Sequence, residues 1–436
     1  MRTRVVVVSN GFSKFHLAVA AAEAYRRGLL SLLLTGAYPN RTVERFAARS
    51  ARFADGRKLA RLIARGERIP SSLVRALWTA EAAHHAAMAT CETPGLKKIA
   101  ALLVLSSCRL YARIASQQLS AMAGRARIYH YRAGFGLESV AHAKKLGMVT
   151  LCDHSIAHPG VLSYMAETHG QMPPGRREPS DAFWSGVLSD IDQADAVLVN
   201  SEFVRQTFLH QGYDARRIHL AYLGVDDQFM RAIPLRDESS PPSGPLRMLF
   251  AGSLQPRKGA DALLTALTTL DDFAWRMEIA GPIDIGIARR YHGMLADSRV
   301  TLLGILPRTE LAKRMAAAEV FVFPSLVEGS ARVVFEALAA GCYVITTRNS
   351  GSIVSNGVHG SLVPPDDAAA LAQAIGHAQR IRSALAGIGK RNAQLISSSY
   401  RQRHYGDALE ELYLELANAF RGRGVPVYTA QHLSAE

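Results

Sequence analysis

The chain has 436 residues, of which 48% are hydrophobic and 20% charged, with a formal net charge of +14. This length allows two to three domains with ample core. No uninterrupted apolar run reaches the roughly 18 residues of a membrane span, so no spanning helix is expected. The positive excess is confined to one part: residues 1–125 hold 20 Lys and Arg against 6 Asp and Glu, whereas the remainder holds 31 of each. That asymmetry predicts an anionic partner for the first part of the chain.

The first residues, Met1-Arg-Thr-Arg-Val-Val-Val-Val-Ser-Asn-Gly, carry charge, but their apolar run is four residues long and enters a glycine turn. They read as a first core strand over 4–8 and not as a signal peptide. A loop with Gly11 and His16 leads to a helix over 17–27, ending at Gly28, and to a strand over 29–34. Residues 41–125 form a mostly helical basic insertion, broken at Ile69-Pro70-Ser71-Ser72 and at Thr93-Pro94-Gly95. Ser71 or Ser72 is expected to cap the helix after the first break. The next helix, from Leu96, is apolar on most faces for two turns and then amphipathic.

Alternation of strand and helix resumes with a strand over 127–131, a helix over 137–146 and strands over 148–152 and 196–200. Ser201 follows as a cap with Glu202 in the first turn. A strand over 218–221 closes a first Rossmann-like domain, 1–230. Residues 231–245, with four prolines and a glycine, are a linker. A second Rossmann-like domain spans 246–398, a helix over 399–421 is expected to pack back on the first domain, and 422–436 is a loose tail. Cys91, Cys108, Cys152 and Cys342 show no C-x-x-C spacing and predict buried thiols. His84-His85 lacks a third ligand at usable spacing, so it carries no metal prediction.

Chemistry concentrates in the second domain. Leu246-Arg-Met-Leu-Phe-Ala-Gly252-Ser253-Leu-Gln-Pro-Arg257-Lys258-Gly259 reads as a strand, a glycine turn, two cations and a helix start, an arrangement suited to phosphate. In Val320-Phe-Val-Phe-Pro-Ser-Leu-Val-Glu328-Gly329-Ser330-Ala331-Arg-Val-Val-Phe-Glu336-Ala-Leu-Ala-Ala-Gly341, a strand ends at Pro324 and a loop carries Glu328. A helix then carries Glu336 and stops at Gly341. Both carboxylates are expected near the carboxyl end of a parallel sheet, where open α/β sheets bind ligands. Asn349-Ser-Gly351 and Asn356-Gly357-Val-His-Gly360 add two glycine turns at later strand ends.

This ordered set resembles the retaining nucleotide-sugar glycosyltransferases of family 4, which have the GT-B fold. Their second half reads Gly-Arg-Leu, Lys-Gly, Glu-Gly-Phe-Gly, Glu-Ala and then a small-residue-Gly-x-Pro-Val strand. The resemblance extends from about residue 5 to about 375 and is densest over 247–366. It implies two Rossmann-like domains facing across a cleft, the second holding the nucleotide sugar and the first the acceptor.

Residue by residue, the resemblance places Lys258 on the donor diphosphate with Arg257 as a second cation, and Glu328 beside the donor sugar. It places Glu336 on the ribose hydroxyls, a pair that suits a carboxylate acceptor. Gly329, Ser330 and Ala331 would turn backbone N–H groups to phosphate or sugar, and Gly252 and Ser253 would border the nucleotide. Gly11 matches the flexible glycine loop of the first domain, His16 a histidine at the following helix start, and His154 the cleft histidine near the sugar C6 hydroxyl. Asp153, His158 and Asp226 are either cleft groups or ordinary surface polar residues. Two departures stand out: Ser253 replaces the family arginine and supplies no charge, and Ser330-Ala331 replaces Phe-Gly.

The function implied is a hexosyl-type transfer, with retention, from a nucleoside-diphosphate sugar to an acceptor in surface polysaccharide, lipopolysaccharide or glycolipid synthesis. Negative charge grows on the departing diphosphate and must be met by fixed positive groups. The resemblance implies no cofactor and no essential metal, since family members meet that charge with Arg, Lys and helix dipoles, and this sequence fits in offering no Asp-x-Asp pair with adjoining acceptor-type ligands. A sugar-nucleotide epimerase of the same fold is an alternative. A basic nucleic-acid-binding protein is another, although the positive helices lack interleaved aromatics or a reading motif. The expected location is the cytoplasm, with residues 1–125 attaching the protein peripherally to the anionic inner face of the plasma membrane.

Overall fold

The computed structural model describes residues 4–13, 15–39, 66–90, 97–179, 182–235 and 243–421. Its frame is two sheets. The first contains β1 (Val6–Ser9), β2 (Leu30–Thr35), β3 (Val74–Ala76), β4 (Ile128–Arg132), β5 (Val149–His154), β6 (Ala196–Val199) and β7 (Ile218–Leu220), in the order β3-β2-β1-β4-β5-β6-β7. The second contains β8 (Leu246–Ala251), β9 (Trp275–Ala280), β10 (Val300–Gly304), β11 (Val320–Phe323), β12 (Tyr343–Thr346) and β13 (Gly360–Leu362), in the order β10-β9-β8-β11-β12-β13. All neighbours in the second sheet run parallel, as do those from β3 to β5 in the first.

The strands read Val-Val-Val-Ser, Val-Phe-Val-Phe and Tyr-Val-Ile-Thr, and all twelve of those residues are buried. Unbroken apolar runs of this kind follow from a sheet covered by helices on both faces. In each sheet the strand order reverses once, between β1 and β4 and between β8 and β11. The crevice at such a reversal is where α/β sheets take ligands.

By compactness the chain divides into one unit of 1–154, 181–198 and 406–436 and another of 155–180 and 199–405. This differs from division at 230, since residues from 199 onward, β7 included, cluster with the second unit although β7 continues the first sheet. Within the first unit the helix Gln402–Arg421 sends the Tyr413 hydroxyl to His130 Nδ1 at 2.7 Å, and Arg27 pairs with Asp407 at 2.6 Å. Of the linker, 236–242 lies outside the described residues, as does the tail 422–436.

The basic insertion departs from the expected run of helices. Ser71–Leu73 is a single 3-10 turn, and neither serine caps a helix. The next residues form β3, which pairs Leu33 with Val74 at the sheet edge, so tertiary pairing overrides the local helical pattern. Helices Trp78–Thr90 and Lys97–Ala121 follow. Residues 40–65 and 91–96, with Cys91, are outside the described residues.

The longer helix is fastened by Tyr111, whose hydroxyl donates to Leu34 O (3.1 Å) and meets Ser9 Oγ (2.9 Å) and the Gly11 N–H (3.1 Å). Contrary to expectation, Ile99–Ala121 is long and apolar enough to cross a membrane, with a mean hydropathy of 1.4. Its apolar run is broken by scattered serines and two arginines, which still leave a high average. Cys108, Cys152 and Cys342 are free and buried. The helices Pro159–Glu167 and Ala182–Gln193 were not anticipated.

Candidate active site

At the reversal of the second sheet, a cavity of about 550 Å³ opens among the ends of β8, β9 and β11. Its lining includes Gly252, Ser253 and Lys258 after β8, Gly281 and Pro282 after β9, and Glu328, Ser330, Ala331, Arg332 and Glu336 after β11. The floor needs glycine at two places. Gly252 has φ +141° and Gly281 φ +142°, and a Cβ on Gly281 would meet Gly252 O at 2.0 Å. The Lys258-Gly259 turn packs equally closely, since a Cβ on Gly259 (φ +76°) would lie 2.0 Å from Pro324 O. The chain after β8 is thereby pressed onto the end of β11, which brings the two cations to Glu328.

Glu328 Oε1 gathers three donors: Lys258 Nζ, Arg257 Nη1 at 2.8 Å and Ser325 Oγ at 3.0 Å. Its backbone N–H donates to Asn349 O at 2.8 Å, and Asn349 Nδ2 donates to Leu326 O at 2.8 Å. The Asn349-Ser-Gly351 turn thus holds the loop that carries Glu328. Burial pulls the Lys258 ammonium below the usual lysine range, with Arg257 acting the same way and Glu328 opposing them. Lys258 lines the cavity, whereas Arg257 stands behind it, bonded also to Val327 O at 2.8 Å.

Glu336, on the helix Arg332–Ala339, is buried, and its Oε1 accepts from Arg308 Nη2 at 2.8 Å. The same Arg308 nitrogen reaches Asp226 Oδ2 at 2.6 Å, and Arg332 Nη2 reaches that oxygen at 3.2 Å. Burial raises the Glu336 carboxyl, against the lowering effect of Arg308 and Arg332. Sequence reading missed both arginines. The signal available was position: Arg308 opens the helix after β10, and Arg332 opens the helix after the Glu328 loop. They place cations at the cavity where Ser253 supplies none.

Three of the expected residues are tied into the fold in ways the sequence did not announce. The Ala331 N–H is committed to Ser350 O at 2.9 Å, so this residue forms wall and offers no backbone donor. Gly329 is not a lining residue; its carbonyl accepts from Ser201 Oγ, and a Cβ there would lie 1.7 Å from Ser155 O. That close packing requires the glycine. Gly11, expected as a flexible loop, is fastened at both backbone groups: its N–H donates to Tyr111 Oη and its carbonyl accepts from Gly36 N–H at 2.9 Å.

The remaining candidates occupy the carboxyl edge of the first sheet. His154, the last residue of β5, is buried. Asp153 beside it accepts from or pairs with His16 Nε2 at 2.6 Å and stands 3.4 Å from His130 Nε2. Burial would raise the Asp153 carboxyl, but His16 and His130 together hold it well below the usual range. Arg132, at the end of β4, lies 3.9 Å above the Phe15 ring. His158 caps the helix Pro159–Glu167, its Nδ1 accepting from Gly160 N–H at 3.1 Å, and packs against Phe208 and Tyr213. Asp190 and Asp192 do have Asp-x-Asp spacing, but the Asp190 carboxylate is buried and accepts from the Gly134, Gly136 and Leu137 N–H groups. His84 and His85 are directed to Ser107 (3.0 Å) and Glu81 (3.1 Å).

Two sheets with this strand order, one opening on a cavity lined by Lys258, Arg308 and Arg332, have the GT-B fold. A glycosyltransferase from Rickettsia africae superposes with a TM-score of 0.63 at 16% identity, over 95% of this chain and 99% of that one. Anabaena HepE in complex with UDP gives 0.62 at 16% identity, over 94% and 100%. Residues 245–379 match the family described as Glycosyl transferases group 1. Among curated relatives, a D-inositol 3-phosphate glycosyltransferase from Pseudarthrobacter chlorophenolicus is 30% identical over 277 residues, which is 56% of this chain and 64% of that protein. The chain therefore spans less than two thirds of that relative's length.

Proposed function

We propose that the protein is a retaining glycosyltransferase that moves a sugar from a nucleoside diphosphate to an acceptor hydroxyl. The observation that carries this reading is the cavity at the β8/β11 reversal, within the 245–379 match, where Lys258, Arg308 and Arg332 surround a volume suited to a small ligand. A nucleoside diphosphate is the anion this chemistry fits, and the likeness to a UDP-bound structure points the same way.

In the proposed reaction the bond between sugar C1 and the phosphate oxygen breaks, and the acceptor oxygen bonds to C1 on the same face. The acceptor proton passes to the departing phosphate oxygen. Lys258 meets the growing diphosphate charge, and Arg308 and Arg332 supply the cations that Ser253 does not. Glu336 holds the ribose hydroxyls, and Glu328 both orients Lys258 and contacts the donor sugar. His154 stands near the C6 hydroxyl of the transferred sugar. Turnover requires no divalent metal, so chelation with EDTA leaves it unchanged. The acceptor is a glycolipid or surface-polysaccharide precursor, met at the cytoplasmic face of the membrane. The group 1 match favours neither an epimerase nor a nucleic-acid-binding protein.

Thermal-shift screening with UDP-, GDP- and ADP-sugars, followed by NMR of the product anomeric centre, tests this reading. Stabilisation by one nucleotide series and a product of unchanged anomeric configuration are expected. An inverted product would eliminate the same-face route, and indifference to all nucleotides would eliminate the donor site.

A further inference from the structure

Six large apolar side chains stand exposed on the helices Trp78–Thr90 and Lys97–Ala121: Trp78, Met88 (47% exposed), Ile99 (54%), Leu102 (66%), Leu103 (44%) and Leu110. On the longer helix, Leu102 and Leu103 follow Ile99 by three and four residues and Leu110 lies two turns beyond Leu103, so the four form one stripe. The opposite face, with Cys108, Tyr111, Ala112, Ala115 and Leu119, is buried in the first unit. Tyr111 bonds that inner face to the ends of β1 and β2. The helix is held at the surface of its unit, so the outer stripe is a fixed feature of that surface.

The charged residues of the longer helix itself are all positive. Lys97 and Lys98 begin the longer helix, and Arg109 and Arg113 follow the apolar turns; Arg109 is exposed, and Arg113 lies 3.3 Å from Glu138 on a neighbouring helix. The two helices contain a single acid, Glu81, and its carboxylate is turned inward to the Ala37 N–H at 2.6 Å and to His85. An apolar stripe bordered by cations, within a segment whose net charge is strongly positive, matches an interfacial helix on anionic lipid.

We propose that the helix pair Trp78–Thr90 and Lys97–Ala121 is a membrane-docking face that lies in the headgroup region of an anionic bilayer. Ile99, Leu102 and Leu103 enter the acyl boundary, and Arg109 and Arg113 meet lipid phosphates. The helix lies on the membrane and does not cross it, because its inner face is bonded into the core of its own unit. This inference rests on the first unit alone and goes beyond the donor reaction assigned to the second.

The full chain is sedimented with phosphatidylcholine vesicles and with vesicles that also carry phosphatidylglycerol, at low and high sodium chloride. Preferential, salt-sensitive binding to the anionic vesicles is expected. Both leucines are exposed, so the double variant Leu102→Ser/Leu103→Ser should keep its circular dichroism and melting temperature while losing roughly tenfold or more in vesicle partition. Arg109→Gln should lose about fivefold on anionic vesicles and little on neutral ones. Absence of binding to either vesicle, or a leucine variant that binds as well as the parent, overturns the proposal. So does self-association of the parent that the leucine variant abolishes without a change in vesicle partition, which would make this face a contact between copies. Nucleotide-sugar binding without vesicles, followed by thermal shift, reports separately on the second unit.

Discussion

The first and second sheets have the same strand order up to their sixth strands, yet their carboxyl edges are furnished for different tasks. At the β8/β11 reversal, small residues and two glycines in the φ +141° to +142° range leave room, and Lys258, Arg308 and Arg332 stand around the space. At the corresponding end of the first sheet, Phe12, Tyr111 and Phe135 fill the space above Gly11, with ring centroids 5.3 to 5.6 Å apart, and the polar groups His16 and Asp153 are bonded to each other. The two sheets thus share the reversal at which α/β sheets take ligands but differ in the side chains that stand there. The second edge gathers cations around a cavity, and the first gathers a small polar cluster beside packed rings.

The largest expected effect tests the anion side. Lys258→Ala should lower turnover by roughly 10²-fold or more, in the range for loss of one preorganised donor. Because burial already pulls the Lys258 ammonium below the usual lysine range, the alkaline limb of the rate profile should fall earlier than for an exposed lysine. A folded Lys258→Ala enzyme with parental turnover would make the comparison meaningless for catalysis.

Next come the two carboxylates of the same edge. Glu336→Gln should raise the donor KM by roughly tenfold or more and leave kcat little changed, because the ribose contacts proposed for it would persist through the reaction. Glu328→Gln should act mainly on kcat, since it releases Lys258 and Arg257 together. Steady-state kinetics with the preferred donor distinguishes them, and a shared pattern would refute separate roles.

The glycine floor gives a third, structural effect. Gly281→Ala places a methyl 2.0 Å from Gly252 O at a positive φ, and should cost about 1–3 kcal/mol in urea unfolding as well as donor affinity. The smallest effect is expected at the first edge. Tyr413→Phe removes the hydroxyl bonded to His130 and should cost about 1 kcal/mol, read from chemical denaturation, with donor affinity untouched. Equal damage to donor binding by both substitutions would show that the two edges do not function separately.

Most strands of the first sheet, the strands before Gly252 and Pro324, the alternation of strand and helix in both halves, and the placement of Lys258, Glu328 and Glu336 near the end of a parallel sheet were legible in the sequence, whereas β9 and β10 were not singled out. Each legible feature is encoded locally, by an apolar run, a glycine turn or a cation beside a helix start. β3 was not legible, because Val74–Ala76 becomes a strand only by pairing with Leu33 to Thr35. Arg308 and Arg332 were signalled only by their places at helix starts, since nothing local in Leu306-Pro307-Arg308 announces that its side chain will meet Glu336, 28 residues away.

Sequence alone determined that the chain would form parallel α/β sheets, that its positive excess would lie in residues 1–125, and which loop would carry Glu328, because these depend on periodicity, composition and turn chemistry. Tertiary structure decided which backbone donors remain for a ligand. It committed the Ala331 N–H to Ser350, drew Gly329 against Ser155, fastened Gly11 through Tyr111, and left Leu102 outside while burying Tyr111 nine residues later. Hydrogen-bond commitment and burial are set by neighbours distant in sequence, so a residue's identity names its chemistry while the fold determines whether that chemistry is available.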